Sequence, residues 1–298
     1  MVSDVSKLRD SVPAAISGTT KLLGVIGDPV RHSLSPVMHN AAIAHLGVDY
    51  VYLPLPVKPE DLGVAIAGFA AIGLEGFSIT IPHKQAIMPL LSEMTEIATA
   101  IGAVNTVYRT AQGWGGTNTD VVGFVAPLRS QSWQGATALV LGNGGAARAV
   151  VVGCAQLGFA QIQVVGRDPD KLQAFSQSWS QAPFPIPLTV HSWEDLPLLL
   201  PQANLLVNTT PVGMAPKGDR APLSLGEMER LPEDAIAYDL IYTPRPTLFL
   251  QQAQQLRLGA IDGVEMLVQQ GAEALAQWLQ QPVPVEVMRT ALLNHLNH

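Results

Sequence analysis

Lys84 has the side chain best placed in this sequence for acid–base chemistry. It follows the apolar stretch Gly76–Ile81 across a proline turn, within the motif SITIPHK. A lysine beside an apolar strand end loses hydration, so it can exchange a proton near neutral pH. Asp120, at the end of TNTD, is placed to face this lysine across a cleft and to keep it oriented. The sequence therefore predicts an acid–base pair, against the plainer alternatives of a surface lysine and a helix-capping aspartate.

Further polar residues are suited to holding a substrate. Ser33 and Ser35 lie two positions apart in HSLSP, where two hydroxyls ahead of a helix can bind a carboxylate. The alternative is a plain helix N-cap by Ser35 before Pro36. Asn105, in AVNT, offers both a donor and an acceptor within a predicted strand.

A glycine turn follows the apolar run Ala138–Leu141 and precedes an Ala- and Val-rich helix. Its spacing, Gly142-x-Gly144-x-x-Ala147, is that of a dinucleotide-binding corner, where a helix N-terminus meets a pyrophosphate. Alone, such a match fits a purely structural turn equally well. Its position between strand and helix favours the binding function.

Strand and helix signals alternate around these residues. The alternation predicts an α/β fold with two lobes and a cleft between them, the second lobe a parallel sheet covered on both faces. Strands are predicted at residues 22–26, 50–56, 76–81, 103–109, 138–141, 161–165, 187–190, 204–207 and 236–240. Helices are predicted at 36–46, 59–72, 120–129, 264–279 and 284–295, with a broken helix at 83–101 and a turn at 113–116.

The composition limits the classes of partner that the protein can bind. The 298 residues carry a net charge of -7, which argues against nucleic acid and anionic membranes. The single Cys154 precludes an intrachain disulfide, and no His or Cys pairing predicts a metal site. No apolar run reaches the roughly 18 residues of a membrane span, so we expect a cytoplasmic protein, with a homodimer as one possibility. Residues 1–20 predict a loose tail or a short polar helix.

Taken in order, the motifs resemble those of the shikimate dehydrogenase family. HSLSP, TIPHK, IGAVNT, NTD and the glycine corner are followed by VNTTPVGM, YDLIYTPRPTLFL and DGVEMLVQQGAEAL. The likeness covers about Leu22 to Trp278. It implies a reversible, NADPH-dependent reduction of 3-dehydroshikimate to shikimate in the aromatic amino-acid pathway. It also implies an N-terminal substrate lobe and a Rossmann-type, doubly wound cofactor lobe.

The resemblance assigns roles to individual residues. It implies that Lys84 is the acid and base, assisted by Asp120, with no metal required. The implied substrate-binding residues are Ser33, Ser35, Ser78, Thr80, Lys84, Asn105, Asp120, Tyr242 and Gln270. The implied NADP-binding residues are Gly142, Asn143, Gly144, Gly145, Ala146, Arg167, Lys171, Leu240, Gly263 and Glu96, although Glu96 fits a solvated helix position better. A discontinuous substrate domain, residues 1–119 plus 264–298, would flank a cofactor domain of residues 120–263.

Three positions depart from the family pattern. Ser78 stands where the family usually has Asn, so one substrate hydrogen bond is expected to be shorter or water-mediated. Val121 stands where Gly usually follows the aspartate, and it is expected to tighten the hinge. The usual Asn-Arg-Thr motif for the adenosine phosphate is replaced by Gly166-Arg167-Asp168.

This last departure decides the cofactor prediction. In NAD enzymes an acidic residue about 20 positions after the corner accepts from the ribose, and Gly166 occupies that place. Arg167 and Lys171 can instead meet a 2′-phosphate. Asp168 would oppose the phosphate, but an Asp before Pro169 is expected to cap the next helix. NADP is therefore predicted over NAD.

Three alternatives stay open at this point. One is a quinate/shikimate dehydrogenase of the same fold that uses NAD. A second is a methylene-tetrahydrofolate dehydrogenase-like enzyme, although Ser33 and Ser35 favour a compact carboxylated ring over a pterin. A third is a non-catalytic dinucleotide sensor, which would have no use for Lys84 together with Asp120.

Overall fold

The computed structural model describes residues 16–180, 182 and 184–297. The tail or polar helix predicted for residues 1–20 falls largely outside this range, and residues 17–20 form a turn whose threonines Thr19 and Thr20 donate to Asp49. Within the range, the chain forms two six-stranded sheets with helices packed against them. The α/β class predicted from the sequence is confirmed.

The first sheet is mixed. Its order is β2-β1-β3-β5-β6-β4, in which β1 runs parallel to β2 and β3, whereas β5 is antiparallel to both β3 and β6. Its strands are β1 (Lys21–Gly27), β2 (Tyr50–Pro56), β3 (Leu74–Ile79), β4 (Glu93–Met94), β5 (Thr106–Thr110) and β6 (Gly113–Thr117). The helices between them are α1 (Ser35–Leu46), α2 (Leu62–Ala71), α3 (His83–Ala86) and α4 (Glu96–Ile101).

Two predictions for this region are wrong in detail. The turn expected at 113–116 is the strand β6, because its glycines are needed for close packing rather than for a bend. A Cβ on Gly115 would lie 2.5 Å from the Tyr108 ring, and one on Gly116 would lie 2.5 Å from Leu91. The broken helix expected at 83–101 contains the short strand β4, which pairs with β6.

The second sheet is parallel throughout, as predicted. Its order is β12-β11-β10-β7-β8-β9, so the direction of winding reverses between β7 and β10. Its strands are β7 (Thr137–Leu141), β8 (Gln161–Gly166), β9 (Leu188–Ser192), β10 (Leu205–Asn208), β11 (Ile236–Asp239) and β12 (Gly259–Ile261), the last not predicted. The helices are α5 (Asp120–Val125), α6 (Gly145–Leu157), α7 (Pro169–Gln177), α8 (Leu196–Leu199), α9 (Leu225–Met228) and α10 (Leu248–Gln255). Open sheets of this kind bind ligands outside the carboxyl ends of their strands, at the point of reversal.

The last two helices, α11 (Val264–Leu279) and α12 (Val285–Leu296), return to the first sheet. Val268 and Leu292 share one buried apolar core with Leu23 of β1 and Met38 of α1. The indole N–H of Trp278 donates to the Val107 carbonyl at 2.9 Å. These helices therefore cover the first sheet although they follow the second one in sequence.

Candidate active site and cofactor site

Lys84 and Asp120 form an ion pair, as the sequence predicted. Lys84 lies on the short helix α3, and its backbone carbonyl accepts from Val104 N at 2.8 Å. Asp120 is the first residue of α5. The Lys84 Nζ lies 2.5 Å from Asp120 Oδ2, and the two side chains keep 24% and 11% of their exposure. A cation this close to a carboxylate, and still open to a ligand, can deliver a proton to a substrate oxygen.

Asn105 fixes the second oxygen of the carboxylate. Its Nδ2 donates to Asp120 Oδ1 at 2.8 Å and to Thr119 Oγ1 at 3.0 Å, and its Oδ1 accepts from Thr119 N at 2.8 Å. Asn118 Oδ1 accepts from Asp120 N at 3.0 Å. The sequence reasoning missed Asn118 and Thr119, although both lie in the motif TNTD. Because each carboxylate oxygen has its own partner, the side chain holds one orientation toward Lys84.

The two serines flank the start of α1. The helix begins at Ser35 itself, and its N-cap residue is Leu34, whose side chain makes no capping bond. The alternative of a helix N-cap by Ser35 is therefore wrong. Ser33 Oγ accepts from Ser35 N at 3.3 Å, and Ser35 is buried. Both hydroxyls stay at a helix N-terminus, where a carboxylate would be stabilised.

A buried cluster lies beneath these serines, and the sequence reasoning missed it. The Tyr52 hydroxyl donates to Ser78 Oγ at 2.8 Å. The Tyr52 ring stacks on His39 with centroids 4.0 Å apart, and His39 Nδ1 lies 2.8 Å from the Ser35 carbonyl. Burial raises the pKa of Tyr52 and lowers the pKa of His39 to about 4. The one signal in the sequence was that His39 follows Ser35 by one helical turn.

The remaining implied substrate residues lie on neighbouring elements. Thr80 follows β3, four residues before Lys84, and its N–H donates to the Ile26 carbonyl at 2.9 Å. Gln270 lies on α11 against α5, since a Cβ on Gly123 would lie 3.0 Å from its Cβ. Tyr242 is half-buried against the apolar core under β1, and burial raises its pKa.

The glycine corner has the geometry that a pyrophosphate requires. Gly142 has φ +102°, which favours glycine, and its N–H donates to the Val165 carbonyl at 2.8 Å. A Cβ on Gly144 or Gly145 would meet no atom within 4 Å, so open space lies at the N-terminus of α6. Gly144 is the N-cap and brings no side-chain bond. The first N–H groups of this thirteen-residue helix therefore face that space.

Arg167 borders a separate cavity at the ends of β8 and β9. The cavity has a volume of about 350 Å³, and its lining includes Gly166, Arg167, His191 and Ser192. The Arg167 guanidinium lies 4.7 Å from the centroid of Trp193, a partner that the sequence reasoning missed. Such a cation–π contact holds the guanidinium beside the cavity.

Asp168 caps the helix α7, as predicted. Its carboxylate accepts from Lys171 N at 3.1 Å, and the Lys171 Nζ lies 3.5 Å away. The Lys171 N–H, followed by the charge of the lysine, lowers the pKa of Asp168. The carboxylate oxygens are therefore engaged by the start of α7, and the Lys171 ammonium offsets part of the negative charge beside Arg167.

Of the other implied cofactor residues, Leu240 and Gly263 lie together, whereas Glu96 lies apart on another helix. Leu240 and Gly263 are adjacent, since a Cβ on Gly263 would collide with the Leu240 carbonyl oxygen. Glu96 is an exposed residue in the first turn of α4. Val121, where the resemblance expects Gly, is 1% exposed in the core of the second sheet.

Asp239, the residue directly before Leu240, is a buried carboxylate that the sequence did not reveal. Asp239 is fully buried at the end of β11, where Oδ1 accepts from Asn208 Nδ2 at 3.0 Å and from Ile241 N at 3.1 Å. Its Oδ2 accepts from Thr247 Oγ1 at 2.7 Å. Burial raises the pKa of Asp239 to about 6, against these hydrogen bonds, which lower it.

Two negative findings apply to the described part of the chain. No group of three or more His, Cys, Asp or Glu side chains there is arranged to hold a metal ion. Among the helices of residues 16–180, 182 and 184–297, none has the length and apolar character to cross a membrane.

A parallel sheet with a glycine corner at its switch point, together with a lysine–carboxylate pair, defines a dinucleotide-dependent dehydrogenase. Residues 25–107 match the shikimate dehydrogenase substrate binding domain, and residues 263–293 match the shikimate 5′-dehydrogenase C-terminal domain. The chain is 62% identical over 285 residues to a curated shikimate dehydrogenase (NADP(+)) of Trichormus variabilis. The alignment covers 94% of this chain and 99% of that relative. The chain therefore belongs to the shikimate dehydrogenase family.

Solved structures agree with this assignment. A crystal structure of a shikimate dehydrogenase in complex with NADP+ has a TM-score of 0.87 and 35% identity, covering 96% of this chain and 99% of that one. The shikimate 5-dehydrogenase of Thermus thermophilus in complex with shikimate has a TM-score of 0.81 and 32% identity, covering 94% of this chain and 100% of that one.

Proposed function

We propose that this protein is a shikimate dehydrogenase that reduces 3-dehydroshikimate reversibly to shikimate with NADPH in the biosynthesis of aromatic amino acids. The observation that carries the proposal is the Lys84–Asp120 pair at 2.5 Å, with Asn105 on the second carboxylate oxygen. The family membership and the names of the curated relatives support the same activity.

In this proposal the chain's own residues move the proton and hold the substrate. Bound NADPH supplies the hydride for the carbonyl carbon, and Lys84 Nζ supplies the proton for the carbonyl oxygen. Asp120 keeps the ammonium group oriented and favours its charged form, and a proton taken up from water restores that form between turnovers. Ser33 and Ser35 hold the substrate carboxylate with the help of Tyr242. The substrate hydroxyls are held by Ser78, Thr80, Asn105, Asp120 and Gln270.

The cofactor site fits NADP in two places. The open space at Gly144 and Gly145 suits a pyrophosphate, because a larger residue would fill it. Arg167, held by Trp193, supplies a planar cation suited to a 2′-phosphate, and Lys171, which is ion-paired with Asp168, would add a second positive charge. Leu240 and Gly263 would border the nicotinamide. Relatives named as NADP(+)-dependent support this preference.

We also propose the domain division, the assembly and the location. Residues 1–119 and 264–298 would form the substrate domain, which the packing of Val268 and Leu292 against Leu23 supports. Residues 120–263 would form the cofactor domain.

Sedimentation of the purified protein tests for a homodimer, and fractionation of cells tests for a cytoplasmic enzyme.

One assay tests the function. Oxidation of shikimate and of quinate is measured with NADP and with NAD, by absorbance of the reduced cofactor. We expect the highest kcat/KM for shikimate with NADP. A higher value for quinate with NAD would instead identify a quinate/shikimate dehydrogenase, and no turnover in any combination would leave the dinucleotide sensor.

A further inference from the structure

Tyr52 contributes a buried hydroxyl that the proposed mechanism does not use. Its side chain is 1% exposed, and its O–H donates to Ser78 Oγ at 2.8 Å. Ser35, the second carboxylate-binding serine, is linked to the same ring through His39, whose Nδ1 lies 2.8 Å from the Ser35 carbonyl and whose ring stacks on Tyr52. Tyr52 therefore contacts one of the proposed substrate-binding hydroxyls directly and lies near a second.

The direction of this hydrogen bond fixes what Ser78 can do. A serine hydroxyl has one hydrogen and two lone pairs. Because Tyr52 fills a lone pair of Ser78 Oγ, the serine's own hydrogen is left to point toward a ligand. A donor that itself accepts a hydrogen bond is also polarised and binds its acceptor more strongly.

We propose that Tyr52 is a positioning residue for the substrate, which orients Ser78 as a hydrogen-bond donor to an oxygen atom of bound shikimate. The inference rests on the proposed function, because it needs shikimate as the ligand. This role accounts for the serine at position 78, where the family usually has asparagine. An asparagine would carry its own N–H donor, whereas Ser78 becomes an oriented donor because it accepts a hydrogen bond from Tyr52. The substrate hydrogen bond of Ser78 is therefore strengthened by Tyr52.

The ring of Tyr52 serves packing, and only its oxygen serves the site. The ring stacks on His39 at 4.0 Å and lies 6.0 Å from the ring of Trp278. Tyr52→Phe keeps both aromatic contacts and removes one hydrogen bond, so it separates the two roles. A purely structural role would change the melting temperature without a selective change in shikimate affinity.

The test is a double-mutant cycle on the full-length protein with Tyr52→Phe, Ser78→Ala and the combined variant. The dissociation constant of shikimate is measured by calorimetry without cofactor, and kcat and both KM values are measured by steady-state kinetics. We expect Tyr52→Phe to weaken shikimate binding roughly 3- to 10-fold, with kcat within about twofold and the KM for NADP unchanged. In the Ser78→Ala background the same change should have less than about a twofold effect.

Tyr238→Phe is the matched control. Tyr238 is fully buried, and its hydroxyl has no hydrogen-bond partner among the described residues, so shikimate affinity should stay as in the wild type. Equal effects of Tyr52→Phe in both backgrounds, or no effect in either, would overturn the inference. If Tyr52→Phe does not fold, Ser78→Ala decides alone, and an unchanged affinity overturns it. Absence of shikimate turnover by the wild-type enzyme would instead overturn the proposed function.

Discussion

The ammonium group of Lys84 and the carboxylate of Asp120 meet at 2.5 Å although they belong to helices of different parts of the chain. Lys84 follows the third strand of the first sheet, and Asp120 begins the helix α5 that leads into the second sheet. Asn105 fixes the far oxygen of the carboxylate. The pair thus stands at the junction of the two sheets, where a substrate held by the first can meet a cofactor held by the second.

Lys84→Ala should abolish turnover and leave shikimate binding within roughly tenfold. The lysine contributes mainly proton transfer, which is worth about 10² to 10⁴ in rate. The measurements are kcat with NADP and the calorimetric dissociation constant of shikimate. Lys21→Ala, which removes an exposed lysine paired with Glu75, serves as the control. Its kcat and its dissociation constant for shikimate should equal those of the wild type. A near-native kcat in Lys84→Ala would show that another group moves the proton.

Replacing Ser33 and Ser35 together by Ala should raise the KM for shikimate more than it lowers kcat. A carboxylate remote from the reacting carbon gives similar binding energy in the ground state and in the transition state. Steady-state kinetics at saturating NADP measures both parameters. Ser224→Ala, at the exposed N-cap of α9, is the control and should leave the KM unchanged. An unchanged KM in the double variant would remove the pair from the substrate site.

Arg167→Gln should lower kcat/KM for NADP about 10- to 100-fold and leave the value for NAD unchanged. The substitution removes a charge-assisted contact to the 2′-phosphate, worth about 1.5–3 kcal/mol. Arg230→Gln, in the same half of the chain, is the control, because the one hydrogen bond of its guanidinium among the described residues is to the Pro197 carbonyl at 3.4 Å. An equal loss with both cofactors would count against the assignment. A wild-type preference for NAD would mean that Asp168 faces the ribose.

Gly123→Ala should destabilise the protein by about 1–3 kcal/mol through overpacking. The added Cβ would lie 2.5 Å from the backbone oxygen of Met266 on α11, which cannot move aside as a side chain would. Gly68→Ala on α2 is the matched control, because nothing lies within 4 Å of its Cβ. It should gain about 0.5–1 kcal/mol from helix propensity. The urea midpoint of unfolding is measured for both variants and for the wild type. A midpoint of Gly123→Ala equal to that of the wild type would show that α5 and α11 can move apart to accept the added Cβ.

The sequence predicted the residues that local motifs carry, and it missed those that depend on long-range contacts. Lys84 and Asp120 were found because each stands in a short motif at a strand or helix end. Tyr52 lies in an ordinary apolar strand, and nothing in its neighbourhood indicates that its hydroxyl meets Ser78, 26 residues further along the chain. Trp193 and Asp239 were missed for the same reason, since burial and partner are properties of the folded chain.

Asp239→Asn should make the stability of the protein fall more steeply on acidification. In the native state burial raises the pKa of Asp239 from 3.8 to about 6. Its protonation therefore stabilises the fold fully below pH 3.8, and this contribution is lost as the pH rises through about 6. Burial also lowers the pKa of His39 from 6.5 to about 4, which stabilises the fold above pH 6.5 and is lost as the pH falls through 4. The two effects oppose each other in the same window.

Asparagine removes the first effect and leaves the second. Its Oδ1 still accepts from Asn208 and Ile241, and its amide faces Thr247 Oγ1, so the network can persist. Between about pH 6.5 and 4.5 the variant should lose about 2 kcal/mol more of its free energy of unfolding than the wild type, at roughly 1.4 kcal/mol per proton and pH unit. Urea unfolding at the two pH values measures this, with the exposed Asp234→Asn expected to follow the wild type. Parallel curves for Asp239→Asn and the wild type would mean that Asp239 stays ionised throughout this range.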